Sequence, residues 1–459
     1  MERKRFQGEL TDPAPLAQPL HFEFSGRTAR NRLHKSPITE RLSTWHPTDL
    51  PKRGIPTKEL VHVYRRWGEG GFGLMATGNV MIEYDHLEAA GNPIIPREAP
   101  FSGERFEAFQ EVAEAGKKNG ALIVAQLSHP GRQVPSEIQP YPLSASDVQI
   151  EGTVMGMTFG KPRAMNKQDI EKVVDGFAHA AEYCYKAGFD GVEIHAAHGY
   201  LLAQFLALTT NKRTDEYGGP LSNRARIIFE IADAIRARVP KKSFILGIKI
   251  NSVEFQSGGI APEDCKWICV ELERHGLDFV ELSGGTYEAI AFSHKRESSR
   301  KREAYFLEFA DMIVPELKRT KAYVTGGLRT VSGMVKALDT VHGIGLARPI
   351  CNEFDLPHKI LSGQVQGALD CLLDEQDYLL TDVAAGTQVR IVGKDKAPLD
   401  FTQEKYLNVF QEAMQKWMQE KAEDTDGSTF GWVDIDDEKL QPYGKPYSVP
   451  QLDGLQASL

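Results

Sequence analysis

Short apolar runs alternate with amphipathic stretches along most of this chain, and the two periods predict its elements. Runs of strand character fall at Leu33–Pro37, Gly73–Asn79, Ala121–Leu127, Gly191–His195, Phe244–Ile250, Phe279–Leu282, Ala322–Thr325 and His342–Leu346. Apolar residues spaced by three and four predict helices at Lys58–Glu69, Glu104–Lys118, Lys167–Ala187, Ser222–Val239, Pro262–Arg274, Glu303–Leu317 and Val331–Leu338. Three of these have start signals: Asn166 ahead of KQDIEKVV, Ser222-Asn223, and Pro262 in a first turn. Strand then helix, repeated over eight strands, is the α/β pattern of a single (β/α)8 TIM barrel. The competing architecture is an open doubly wound sheet. It is disfavoured because no G-x-G-x-x-G follows any strand, and barrel closure leaves no exposed edges.

The rhythm sets the expected organisation: residues 1–19 as a lead-in, 20–372 as the barrel, and 373–459 as a C-terminal extension. The extension is expected to hold one helix, Thr402–Lys421, followed by the acidic stretch AEDTDGSTFGWVDIDDE. A charge run of that kind reads as a solvated face or a mobile segment. Phe430, Trp432 and Tyr443 are nonetheless residues suited to docking on the barrel or on a second subunit, so a homodimer is left open.

Composition narrows the partners. The 459 residues are 41% hydrophobic and 25% charged, ordinary for a globular chain, and the net charge is -9. That balance argues against a nucleic-acid or anionic-membrane partner. No apolar run approaches the ~18 residues needed to span a bilayer, and the first residues, MERKRFQGELTDPAP, lack the apolar core of a secretory signal. Five scattered cysteines read as reduced thiols, which points to a cytoplasmic protein. Cys265 and Cys269 lie one helical turn apart and read as a packing stripe, so no metal site is expected from them.

Barrel chemistry gathers at the C-terminal ends of the strands. There the predicted strands present Pro37-Ile38-Thr39, Thr77-Gly78-Asn79, Gln126, His195, Lys249, Ser283-Gly284-Gly285, Gly326-Gly327 and Ala347-Arg348. In VEIHAAHGYLLAQFL two imidazoles, His195 and His198, and the Tyr200 phenol follow one strand within six residues. A lone histidine there would read as a hydrogen-bonded core residue; the set of three reads as function. Glycines let a backbone approach a ligand closely, and barrels often bind phosphate with the loops after strands seven and eight. Gly326, Gly327 and Arg348 are therefore a candidate phosphate cradle. Gln126 can donate and accept along a heterocycle's amide edge, and a strand lysine such as Lys249 can hold negative charge at one end of a ring. The alternative for Lys249 is an internal salt bridge with a neighbouring strand's carboxylate.

EIHAAHGYLLAQFLALTTNKRTDEYGGPLSNRAR resembles the signature of the Old Yellow Enzyme family of FMN-dependent ene reductases, related to the NADH:flavin oxidoreductases. ARNRLHKSPITER, AQLSHPGRQ, LGIKINSVEF, FVELSGGTYEA, VTGGLRT and GLARPICNEFDLPHKIL support it in the family's order, over roughly residues 20 to 365, with wording closest to fungal members. The resemblance implies non-covalent FMN at the top of the barrel, NAD(P)H as hydride donor and an α,β-unsaturated carbonyl as substrate. It implies that Thr39, after Pro37 and Ile38, meets the flavin C4 carbonyl. Gly78 would touch the ring edge through its backbone, and Gln126 would bind the pyrimidine edge. Lys249, where many members have Arg, would sit near N1 and the C2 carbonyl. Gly326, Gly327, Ala347 and Arg348 would hold the phosphate. His195 and His198 would grip the substrate carbonyl, and Tyr200 would deliver the proton. Thr77-Gly78 departs from the family's usual acidic residue followed by a small one.

Three other readings remain. A pathway enzyme reducing or isomerising one enone would use the same site, with Tyr200 favouring reduction. A barrel hydrolase would use the histidine pair as zinc ligands. An idle barrel would use its tail as an interaction module.

Overall fold

Eight parallel strands close into a barrel: β1 (Leu33–Lys35), β2 (Leu74–Met81), β3 (Leu122–Ser128), β4 (Gly191–Ala196), β5 (Ile245–Val253), β6 (Phe279–Gly284), β7 (Lys321–Thr325) and β8 (Gly343–Leu346). Each strand pairs with its neighbours in chain order, and β8 pairs back onto β1. The architecture comes from a computed structural model that describes residues 3–154, 156–254, 257–284, 307–375 and 377–444. Every residue of β2, β3, β4 and β6 is buried. That follows from their position between an outer layer of helices and the barrel interior, which leaves neither face to water.

The two faces have separate cores. Outward residues such as Met75, Ile123, Val192, Leu246 and Val280 join the helices in one large cluster. Inward residues near the strand starts, among them Leu74, Leu122, Ile245, Phe279 and Tyr323, form a second. Leu20, Phe22 and Ala29 complete it from an antiparallel hairpin, Leu20–Phe22 with Arg27–Ala29. The hairpin plugs the end of the barrel opposite the strand C-termini, with Phe22 6.0 Å from Phe279 between ring centroids. A filled floor leaves the other end for chemistry.

The helices follow from their sequences. Lys58–Glu69 turns Leu60, Val63, Tyr64 and Trp67 inward, one apolar stripe at helical spacing. Lys167–Lys186 starts with a capping box: Asp169 N–H donates to Asn166 Oδ1 (3.0 Å) and Asn166 N–H to Asp169 Oδ2 (2.8 Å). Pro262 opens Pro262–Arg274. Ser222-Asn223 is not a cap. A one-turn helix already runs from Leu221 to Arg224 after Pro220, and Arg226–Arg238 follows it. Asn223 instead donates to the Gly218 carbonyl (3.1 Å). Residues 307–313 are helical; Gly285 and the start of the expected Glu303–Leu317 helix lie outside the described residues. Among the described residues no helix is long and apolar enough to cross a membrane.

The C-terminal extension differs most from expectation. It holds two helices, Tyr378–Gly393 and Glu404–Glu423. YLLTDVAAGTQVRIVG carries no amphipathic period because ten of its residues, on several sides, are buried. It lies against Lys58–Glu69 and shares a cluster with Phe401, Tyr406, Phe410, Val433, Ile435 and Leu440. The acidic stretch is packed rather than loose at Trp432, Val433 and Ile435, which are buried. Its turn closes on Asp424, whose carboxylate accepts from the Gly427 (3.0 Å) and Thr429 (2.8 Å) N–H groups; the Thr429 bond, with those of Asp426 and Ser428, lowers its pKa to about 2.

Phe410 is fully buried in this extension cluster. Phe410→Ala is expected to lower unfolding stability by about 3–5 kcal/mol in urea titration. A change near zero would mean that the extension is not docked.

Candidate active site

The strand C-termini bring most of the sequence-predicted residues to one end of the barrel. His195 is the fifth residue of β4, and His198 and Tyr200 follow in the turn into the helix Leu201–Leu206. That turn is unusual. His198 has φ +58° and Gly199 +76°, so a non-glycine residue sits in the left-handed region. Asn251, on β5, holds it there by accepting the His198 N–H (3.2 Å). Such strain persists where the surroundings over-determine it, and it clusters at functional sites.

The two imidazoles face each other. His195 Nε2 and His198 Nδ1 are 3.2 Å apart, and His198 Nε2 is 2.9 Å from Ser283 Oγ. His195 Nδ1 is 2.9 Å from Asn79 Oδ1 and 3.1 Å from Ser128 Oγ. Burial is the main force on both rings, with the neighbouring His198 acting on His195 and Lys249 on both. His195 is held well below the usual imidazole range, and His198 is brought down to about 3. Both are therefore neutral, with one proton each. With Asn79 Oδ1 as acceptor, the free site takes one arrangement: His195 Nδ1–H donates to Asn79, and His195 Nε2 accepts from His198 Nδ1–H. His198 Nε2 accepts from the Ser283 hydroxyl.

Asn79 reaches further. Its Nδ2 donates to Thr39 Oγ1 (3.2 Å) and to Tyr200 Oη (3.4 Å). A hydroxyl that accepts from an amide keeps its own proton for another partner. One side chain thus links the sequence-predicted Thr39, His195 and Tyr200. Tyr200 packs its ring 4.3 Å from that of His195 and against Met81, Leu87 and Ile94.

Lys249 forms the salt bridge held open above: Nζ is 2.8 Å from Glu281 Oε1 and 3.2 Å from Ser36 Oγ. Burial would raise Glu281, but Lys249 and His34 reverse this and hold it well below the usual carboxylate range. Glu193, beside it, is pushed far up by burial and by the Glu281 charge. Gln126 donates to Glu193 Oε1 (2.7 Å), while Glu193 Oε2 lacks a hydrogen-bond partner. An orphaned buried oxygen beside a glutamine amide suits the donor–acceptor edge of a heterocycle, so this end of the barrel fits a flavin ring. Gly78 is already engaged: its N–H donates to Glu40 Oε1 (2.8 Å) and Tyr64 Oη (3.2 Å).

The loops after β7 and β8 carry the candidate phosphate residues. Gly326 (φ +140°) and Gly327 (φ +75°) adopt backbone that side chains rarely reach. Arg348, after Ala347, donates to Thr381 Oγ1 (2.5 Å), and with Arg329 it lines a cavity of ≈ 40 Å³. Pro37 and Ile38 stand half-buried between β1 and Thr39. Sequence reasoning singled out neither Asn251 nor Glu281, and it read Ser128 and Ser283 at strand ends without giving them a role. Asn79 stood among the strand ends without a role.

A second histidine group lies nearby: His86 Nδ1 and His129 Nε2 are 2.9 and 3.5 Å from Glu83 Oε2. Asp85 and Glu83 pair His86 Nδ1 (2.9 Å each), while His129 Nε2 has no hydrogen-bond partner among the described residues; the group is distinct from His195 and His198, the pair considered above as zinc ligands.

The sequence profile of the NADH:flavin oxidoreductase / NADH oxidase family matches residues 15–365. An NADH-dependent flavin oxidoreductase of Aspergillus parasiticus, nadA, is 49% identical over 425 residues, 92% of this chain and 96% of the relative. Another, iccE of Talaromyces variabilis, is 38% identical over 71% of this chain and 81% of its own length. The fold is similar to that of the Old Yellow Enzyme homologue of Zymomonas mobilis, at 24% identity and a TM-score of 0.63, covering 80% of this chain and 98% of that one.

A neutral buried histidine lowers stability as pH falls, because the unfolded state takes a proton that the native state refuses. His198's contribution is complete above its unfolded pKa near 6.5 and is lost as pH falls toward about 3. His198→Asn is therefore expected to flatten the fall in unfolding free energy between those limits, by up to ~1.4 kcal/mol per pH unit. Parallel curves for both proteins would mean that His198 is charged in the native state.

Proposed function

The chain belongs to the NADH:flavin oxidoreductase / NADH oxidase family, and on that premise we propose that it reduces the activated C=C bond of α,β-unsaturated carbonyl compounds. Its cofactor is FMN and its hydride donor NAD(P)H. When bound, FMN supplies the hydride chemistry, as cofactors do. The chain's own residues bind, orient, polarise and protonate.

Thr39, Gln126 and Lys249 are proposed to hold the ring, and Gly326, Gly327, Ala347 and Arg348 the phosphate. Lys249 is a point charge already paired with Glu281, so its pull toward the ring is weaker than a free cation's. The fully buried pair keeps a fixed cation where a reduced ring gains negative charge.

The observation that carries the reading is the facing pair of neutral imidazoles beside Tyr200. A substrate oxygen set against His195 Nε2 and His198 Nδ1 accepts the His198 N–H that His195 Nε2 otherwise accepts. A second donor arises when His195 carries its proton on Nε2. In that tautomer the Ser128 hydroxyl donates to Nδ1 in place of Asn79's acceptor contact. Both donors then stabilise the enolate that forms as the alkene accepts hydride. Asn79 Nδ2 donates to Tyr200 Oη, which leaves the phenol proton aimed elsewhere. Tyr200 delivers it to the carbon α to the carbonyl.

Tyr200→Phe is expected to slow enone reduction about 10²-fold while leaving flavin reduction by NADH unchanged, read as separate half-reactions by stopped-flow absorbance. Unchanged enone turnover would remove Tyr200 from the proton path.

A further inference from the structure

Thr39 is held from two sides. Asn79 Nδ2 donates to its hydroxyl, and the Trp432 indole N–H donates to its backbone carbonyl (3.0 Å), across 393 positions of chain. Residues 36–42 have no strand or helix of their own, so the β1 loop takes its place from such contacts. Trp432 is itself clamped. Arg41 lies 3.8 Å over its ring, and Arg390 Nη1 donates to its carbonyl (2.5 Å). A Cβ at Gly386, on the buried helix Tyr378–Gly393, would fall 2.1 Å from its Cδ2. Trp45, farther along the β1 loop, donates its own N–H to the Gly427 carbonyl (2.8 Å). The acidic stretch and the flavin-side loop are thus tied together at two indoles.

We propose that Trp432 is a positioning residue for the flavin: it fixes the Thr39 backbone so that the Thr39 hydroxyl meets the C4 carbonyl. The inference rests on the reading of Thr39 given above. Its physical basis is the weight of one buried hydrogen bond. A lost N–H leaves the Thr39 carbonyl without this donor and frees the loop to drift, and a misaimed hydroxyl makes a weaker bond. The hydrogen bond at C4 favours the reduced, more electron-rich ring, so its loss should favour the oxidised one. The C-terminal extension then acts as part of the flavin site without touching substrate.

The test uses the full-length, FMN-loaded protein, reduced anaerobically against a redox dye, with the reduced-to-oxidised flavin ratio read by absorbance. Thr39→Ala is expected to shift the ratio toward oxidised flavin. Trp432→Phe, which keeps an aromatic ring but loses the N–H with the pyrrole half of the indole, should shift it the same way by roughly threefold. Gly386→Ala, which displaces the indole from behind, should match it in sign. Neither should shift the ratio further when combined with Thr39→Ala, because residues acting through one another are non-additive. If Thr39→Ala shifts the ratio and Trp432→Phe and Gly386→Ala do not, the inference falls and the reading of Thr39 stands. Equal shifts in both backgrounds also overturn it, since Trp432 would then act independently of Thr39. If Thr39→Ala itself has no effect, the reading of Thr39 falls and the inference with it.

Discussion

The Asn79 side-chain amide, at the end of β2, holds in register three groups on which the proposed chemistry depends: the Thr39 hydroxyl, the His195 ring and the Tyr200 phenol. An amide has a donor end and an acceptor end, and here each has one meaning. The donor end meets the Thr39 and Tyr200 hydroxyl oxygens, and the acceptor end favours the proton on His195 Nδ1 in the free site. No other side chain described at this end of the barrel touches both the proposed flavin side and the proposed substrate side. Its place depends on the closed sheet, because β1, β2 and β4 deliver these residues to one rim.

Burial gives the rim its electrostatic character. Water is displaced from both imidazoles, so they are neutral donors and acceptors rather than cations. Deeper in the barrel, Lys249, Glu281 and Glu193 divide charge unequally: a lysine–carboxylate pair beside a carboxyl driven toward its neutral form. A buried pair of this kind contributes little net stability but strongly resists losing one partner. It provides a fixed field where a bound ring would gain electrons, and it needs no rearrangement during the reaction.

Much of this was legible in the sequence because it has a period or a spacing. All eight strands announced themselves, and His195, His198 and Tyr200 stood together in one short motif. What escaped notice has neither. Glu281 meets Lys249 because the parallel register of β5 and β6 sets them side by side, and no local pattern encodes that register. Asn251 is an isolated polar residue on a strand, and Ser128 and Ser283, though read at strand ends, gain a partner only once the barrel closes. The helix Tyr378–Gly393 hid because it is apolar on several sides. The acidic stretch was legible in part: its charges are on the surface, while Trp432, one of the aromatic residues suited to docking, is buried with Val433 and Ile435.

The central claim is that this barrel passes a hydride from a nicotinamide to an activated alkene by way of bound flavin. An anaerobic titration of the purified protein, followed in the visible flavin band, tests it most directly. The account predicts that NADH or NADPH bleaches the band and that an α,β-unsaturated ketone then restores it with formation of the saturated ketone. A protein that holds no flavin, or a bleached band that no such ketone restores, would contradict it.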